Sequence, residues 1–141
     1  MAFEFPIHTR NGDNTYGPTA RQHYYLPVSY HARTARQRIE KNRWYLKEGE
    51  QYEVFRVADE PWWECTENFC LFSILDNGST ILGMNGERLA KFPLPRNLTD
   101  PYHGFPILSD EDKPSPDLLD TWEASGIITS HVRRKIEHGK I

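Results

Sequence analysis

Two Asn-Gly pairs constrain the fold of this chain more than any other feature of its sequence. Asn77-Gly78 and Asn85-Gly86 lie eight residues apart, and both residue types tolerate the positive φ angles that tight hairpin turns require. The segments beside them, 69–75, 79–84 and 87–92, are rich in β-branched, aromatic and leucine residues. The pattern therefore predicts a three-strand antiparallel meander in which these segments pair consecutively.

The residues before the meander divide into a predicted helix and two further predicted strands. Segments 51–57 and 61–65 have the same strand-like composition as the meander. Segment 31–46 has helical periodicity instead, and we expect this helix to pack on the sheet. Its apolar face is formed by Ala32, Ala35, Ile39 and Leu46.

Proline shapes the segment that follows the meander. Six of the ten prolines lie within 93–116, where they exclude both a helix and a central strand. We expect this segment to be an extended wrapper, with Phe105, Ile107 and Leu108 turned toward the core. Residues 110–112, Asp-Glu-Asp, are predicted to form an exposed acidic loop.

The last residues of the chain carry the local signals of two consecutive helices. Ser115 is a good N-cap, Pro116 suits the first helical position, and Gly126 suits the C-terminal end. A second helix is predicted over 129–138 and closed by Gly139. The apolar faces of the two helices are predicted to contain Leu118, Leu119 and Trp122, followed by Ile128, Val132 and Ile136.

Together these elements predict an α+β fold: a small antiparallel sheet with one packed helix, a proline-rich wrapper and a C-terminal helical hairpin. A length of 141 residues favours one domain. We place this domain at 30–141. Residues 1–29 have no clear period but are rich in aromatic side chains, and we predict that they form an extended arm lying along a surface.

The aromatic arm favours a role in protein association. Fixing irregular backbone costs roughly 1–2 kcal/mol per residue, and burial of aromatic area against a surface offsets this cost. We therefore predict a non-catalytic interaction module, a small subunit or accessory protein of a larger assembly, that binds a protein partner or a second copy of itself. The predicted partner-binding residues are Phe3, Phe5, Tyr16, Tyr24, Tyr25, Trp62 and Trp63.

The alternative function is RNA or DNA binding, and it rests on the distribution of charge. Residues 1–47 hold 8 Lys and Arg against 3 Asp and Glu, whereas residues 48–130 hold 5 against 16. Cations interleaved with aromatic rings suit contact with phosphates and bases, although the same basic residues can instead lie against the acidic middle of the chain. The residues predicted for this alternative are Arg33, Arg36, Arg38, Lys41, Arg43, Arg133, Arg134 and Lys135.

The third hypothesis is a small enzyme. In this hypothesis His103 is a general acid or base oriented by Asp100, and Tyr102 contacts the substrate. No nucleophile motif accompanies this loop, so a loop that fills the core is the simpler interpretation.

No cofactor or metal is predicted, and no membrane association. The glycines do not form a phosphate-binding pattern. Cys65 and Cys70 lack the second cysteine pair typical of structural zinc and are interpreted as buried thiols. The sequence shows no apolar run of membrane-spanning length and no signal peptide, which favours a cytoplasmic location.

Overall fold

The computed structural model describes residues 3–28, 42–97 and 99–141. Four strands form one antiparallel sheet in chain order: β1 (Glu64–Cys65), β2 (Cys70–Ile74), β3 (Leu89–Pro93) and β4 (Phe105–Ile107). The described helices are α1 (Glu48–Asp59), α2 (Pro116–Ala124) and α3 (Ser130–Glu137). The predicted α+β class is confirmed.

The helix that packs on the sheet is α1, so the predicted strand at 51–57 is wrong. The helix begins where the Glu50 side chain accepts a hydrogen bond from the Lys47 amide at 2.9 Å, which satisfies a donor that the helix leaves open. The Ser73 hydroxyl of β2 donates to the Val54 carbonyl at 2.7 Å, and the Phe55 ring lies 5.4 Å from that of Phe92. Tertiary packing of these residues outweighs their β-propensity.

The predicted meander has the wrong pairing. Strand β2 pairs directly with β3, with Ile74 opposite Leu89 and Cys70 opposite Pro93, so 79–84 is not a strand between them. Residues Asp76–Gly78 form a short 3-10 turn instead of a hairpin. Both Asn-Gly pairs do lie at turns, and Gly86 has a φ of +83°. A turn signal locates the reversal of the chain, but it does not specify which strands then pair.

Only the last five residues of the helix predicted at 31–46 can be compared with the structure. Residues 31–41 lie outside the described residues. Residues 42–46 are not helical: Asn42 has a φ of +65°, which a right-handed helix does not allow. Trp44 instead forms an isolated bridge with Gly83, and the Tyr45 amide donates to the Leu82 carbonyl at 2.8 Å.

The proline-rich segment contributes the edge strand β4, with Lys91 of β3 opposite Phe105. Ile107 is buried, while Phe105 and Leu108 are half-buried. An edge position is where a strand tolerates the missing amide hydrogen of a proline such as Pro106.

The C-terminal helical hairpin is confirmed. Ser115 caps α2, and Thr129 caps α3 by accepting a hydrogen bond from the Val132 amide at 3.2 Å. Gly126 and Gly139 follow the two helices with positive φ. All six residues predicted for the apolar faces are buried, because short helices that carry their own caps and apolar stripes are specified locally.

One core connects the helices, the sheet and part of the N-terminal segment. Tyr25 is completely buried and Tyr16 nearly so, and their backbones form an antiparallel bridge. Tyr25 also bridges Tyr102 in parallel. Across the described ranges, no helix has the length and apolar character needed to cross a bilayer.

Candidate interaction site

A groove of about 330 Å³ runs between the start of the described chain, the approach to α1 and the loop after β2. We call it the aromatic groove. Tyr45 and Ile81 are 51% and 42% exposed, whereas most large apolar side chains of a folded protein are shielded from water. Its apolar lining consists of Phe3, Phe5, Tyr45, Leu46 and Ile81.

Three separate segments hold the apolar side chains in place. The Phe3 and Phe5 rings contact each other edge to face, with centroids 4.8 Å apart. Tyr45 is fixed by its backbone bond to Leu82. Leu82 itself is buried in the core, whereas the preceding residue Ile81 remains on the surface. The groove therefore rests on backbone that is itself tied to the core.

The polar part of the lining carries negative charge. Glu50 and Asp76 lie beside the apolar residues, together with Ser79 and Thr80. Among the described residues that line the groove, none is basic. An apolar surface next to two carboxylates suits a ligand that presents an apolar side chain beside a cation.

Of the predicted partner-binding residues, the structure brings only Phe3 and Phe5 to this groove. Tyr16, Tyr25 and Trp63 are buried in the core. Tyr24 is 40% exposed elsewhere on the surface. Tyr45 and Ile81, which sequence reasoning missed, become recognisable only when the loop after β2 is placed against residues 44–46.

Trp62 and Trp63 have different environments. The Trp63 ring packs at 5.4 Å from Trp122 of α2. Trp62 is half-buried with a φ of +64°, and the Arg21 guanidinium lies 5.1 Å above its ring. This cation–π contact covers one face of Trp62 with the chain's own N-terminal segment.

A buried polar cluster joins the N-terminal segment to the end of α1. Asp59 is completely buried and accepts a hydrogen bond from the Thr19 hydroxyl at 2.6 Å. The same carboxyl contacts His23 Nδ1 at 2.7 Å. Because 36 to 40 residues separate these partners, no local spacing reveals them. Their geometry ties two segments together, and His23 is the half-buried member.

The three predicted catalytic residues do not converge on one substrate position. His103 is exposed, and its Nδ1 lies 2.9 Å from the Leu26 carbonyl. A carbonyl only accepts, so Nδ1 is the donor here. Tyr102 is turned into the core, where burial raises the pKa of its hydroxyl to about 12. Asp100 is exposed and accepts a hydrogen bond from Asn97 at 3.2 Å.

The basic residues of the nucleic-acid alternative are dispersed or outside the described residues. Arg33, Arg36, Arg38 and Lys41 lie outside. Arg43 is half-buried before Trp44. Arg133 forms ion pairs with Asp120, Glu123 and Glu137 at 2.6 to 3.2 Å, while Arg134 and Lys135 are exposed on α3.

Both cysteines are free and completely buried. Burial raises the pKa of the Cys70 thiol to about 12, because a thiolate loses its hydration there. Within residues 3–28, 42–97 and 99–141, no three His, Cys, Asp or Glu side chains are grouped so as to hold a metal ion.

Comparisons with protein-family models, with curated proteins and with solved structures find no match to this chain.

Proposed function

We propose that this protein is an interaction module that binds an apolar segment of a partner protein in the aromatic groove. The observation that carries the proposal is the combination of exposed Tyr45 and Ile81 with the paired rings of Phe3 and Phe5 around one concave surface. Aromatic anchors in such surfaces supply most of the affinity of many protein interfaces.

The negative charge of the aromatic groove indicates which residues the bound segment carries. Glu50 and Asp76 make the groove acidic, so the bound segment carries a Lys or Arg beside its apolar residue. The cation supplies orientation and faster association, whereas burial of the apolar side chain supplies affinity at about 25 cal/mol per Å².

Selection from a displayed library of random peptides tests this proposal. We expect the selected peptides to share an aromatic or aliphatic residue next to Lys or Arg. The double variant Tyr45→Ala/Ile81→Ser should bind them at least tenfold more weakly, because about 1.4 kcal/mol of binding free energy corresponds to a factor of ten. Asp76→Asn should weaken binding less and reduce its salt dependence.

A matched control is Phe69→Ala, which removes a side chain that is 72% exposed and lies outside the groove lining. It should bind the peptides as the wild type does. Peptides that bind the double variant with unchanged affinity would contradict the proposal. A concentration-dependent rise in mass that Ile81→Ser abolishes would identify a second copy of the chain as the occupant instead.

A further inference from the structure

Cys65 and Cys70 lie directly opposite each other in the sheet. Cys65 ends β1, Cys70 begins β2, and the two are register partners in the antiparallel ladder. Opposite residues of such a ladder point to the same face, with Cα atoms about 4.5–5.5 Å apart. A disulfide spans Cα separations of about 4.4–6.8 Å. The backbone therefore already holds the two thiols at a distance that a disulfide spans.

The position of β1 provides access to these buried thiols. The strand has two residues and one neighbour, because it forms the edge of the sheet. The connecting residues 66–69 are all exposed. A backbone hydrogen bond of 3.2 Å from the Asn68 N–H to the Cys65 carbonyl closes this turn. A short edge strand opens at a low free-energy cost compared with global unfolding.

The environments of the two thiols differ. The Asn68 side-chain amide donates to the Cys65 sulfur at 3.6 Å, and Cys65 lies on the edge strand β1. Cys70 lies on β2 between β1 and β3, and burial raises the pKa of its thiol to about 12. Opening of the edge strand β1 exposes Cys65 first, because Cys70 stays paired with Pro93 of β3. Cys65 is therefore the attacking thiol, and Cys70 deprotonates once the opened hairpin admits water.

We propose that Cys65 and Cys70 form a reversible cross-strand disulfide by exchange with a low-molecular-weight disulfide such as oxidised glutathione. The Cys65 thiolate attacks one sulfur of the small disulfide, which breaks that S–S bond and releases one small thiol. Cys70 then loses its proton to solvent and attacks the Cys65 sulfur, which releases the second small thiol. The two protein thiols are oxidised, and one small disulfide is reduced to two thiols.

Incubation of the full chain with oxidised glutathione tests this inference. We expect both free thiols to disappear, and the intact mass to fall by two hydrogens without a retained glutathione. The rate should rise roughly tenfold per pH unit below the thiol pKa, because only the thiolate reacts. Reduction with dithiothreitol should restore both thiols.

Two single variants test the order of attack. Cys70→Ser should accumulate one glutathione on Cys65, because the resolving thiol is missing. Cys65→Ser should leave Cys70 unmodified. Glutathione on Cys70 rather than on Cys65 would overturn the proposed order.

The wild-type measurement stands even if a variant fails to fold. The proposal is overturned if the folded wild type keeps both thiols under conditions in which the urea-unfolded chain loses them. It is equally overturned if the oxidised product carries two glutathiones or is a disulfide-linked dimer.

Discussion

The N-terminal segment 3–28 and the C-terminal hairpin 115–141 pack on the same core, but different contacts hold them in place. Bonds to α1 tie the N-terminal segment: Thr19 and His23 reach Asp59, and His8 reaches Glu53 at 2.8 Å. The hairpin is closed by caps from residues three positions away. The N-terminal segment is held by partners far away in the sequence, whereas the helices of the hairpin are capped by residues of the hairpin itself.

This difference predicts in which region the loss of a single polar side chain lowers the stability of the fold. A carboxyl that is completely buried between two segments has no water to replace a lost partner. A carboxyl on an exposed helix face does, and its ion pairs contribute little. Asp59 and Asp120 allow a direct comparison of the two regions, because they are the same residue type in the two environments.

The largest effect is expected for Asp59→Ala. This change removes the acceptor of the Thr19 hydroxyl, which is itself buried, and of His23. Two lost hydrogen bonds, with a buried donor left unsatisfied, should lower the free energy of unfolding by about 3 kcal/mol. Denaturant-induced unfolding measures this loss.

The matched control is Asp120→Ala in the hairpin. The Asp120 side chain is 67% exposed, although it lies 2.6 Å from Arg133. Its removal should cost no more than about 1 kcal/mol. Equal losses for the two variants would show that the N-terminal segment is not held by Asp59.

A smaller effect is expected for Thr129→Ala, which removes the cap of α3. The Thr129 hydroxyl accepts from the Val132 amide, and loss of an N-cap costs about 1 kcal/mol. Ser130→Ala is the control, because Ser130 is the exposed first residue of the same helix and should change stability by less than about 0.5 kcal/mol. A loss that is equal in both variants would contradict local capping of the hairpin.

The same distinction explains how much of the fold the sequence predicts. Capping residues and apolar stripes within ten residues predict α2 and α3 correctly, and strand composition locates β2 and β3 to within two residues. The strand predicted at 51–57 is wrong because Tyr52, Val54 and Phe55 favour strands by type, while packing of α1 decides their structure. In addition, the turn residues do not determine that β2 pairs with β3 rather than with residues 79–84.

The candidate site is less predictable for the same reason. Phe3 and Phe5 stand out in the sequence as aromatic residues of an irregular segment. Tyr45 and Ile81 join them only through backbone contacts between residues 44–46 and 82–83, which are separated by more than thirty positions. The division of the chain at residue 29 and the roles of the predicted site residues remain predictions.

The smallest effect is the pH-dependent part of the stability that Glu53 supplies. Burial by itself raises the pKa of this carboxyl, but hydrogen bonds and charge from Arg56 and His8 outweigh burial, so the pKa in the folded chain is below the ordinary value of 4.5. Arg56 contacts both carboxylate oxygens, at 2.7 and 2.9 Å. Because these influences oppose each other, we expect a modest contribution.

The direction in which pH changes the stabilisation by Glu53 follows from proton binding. Below pH 4.5 the unfolded chain takes up a proton on Glu53 that the folded chain still excludes, so the stabilisation is complete above this pH and is lost as the pH falls through the folded pKa. Unfolding of wild type and Glu53→Gln in denaturant, measured from about pH 7 to about pH 3, should therefore give a stability difference that shrinks in acid. The exposed Glu67→Gln variant serves as the control. A difference between wild type and Glu53→Gln that stays constant down to pH 3 would show that Glu53 holds the N-terminal segment by packing rather than by charge.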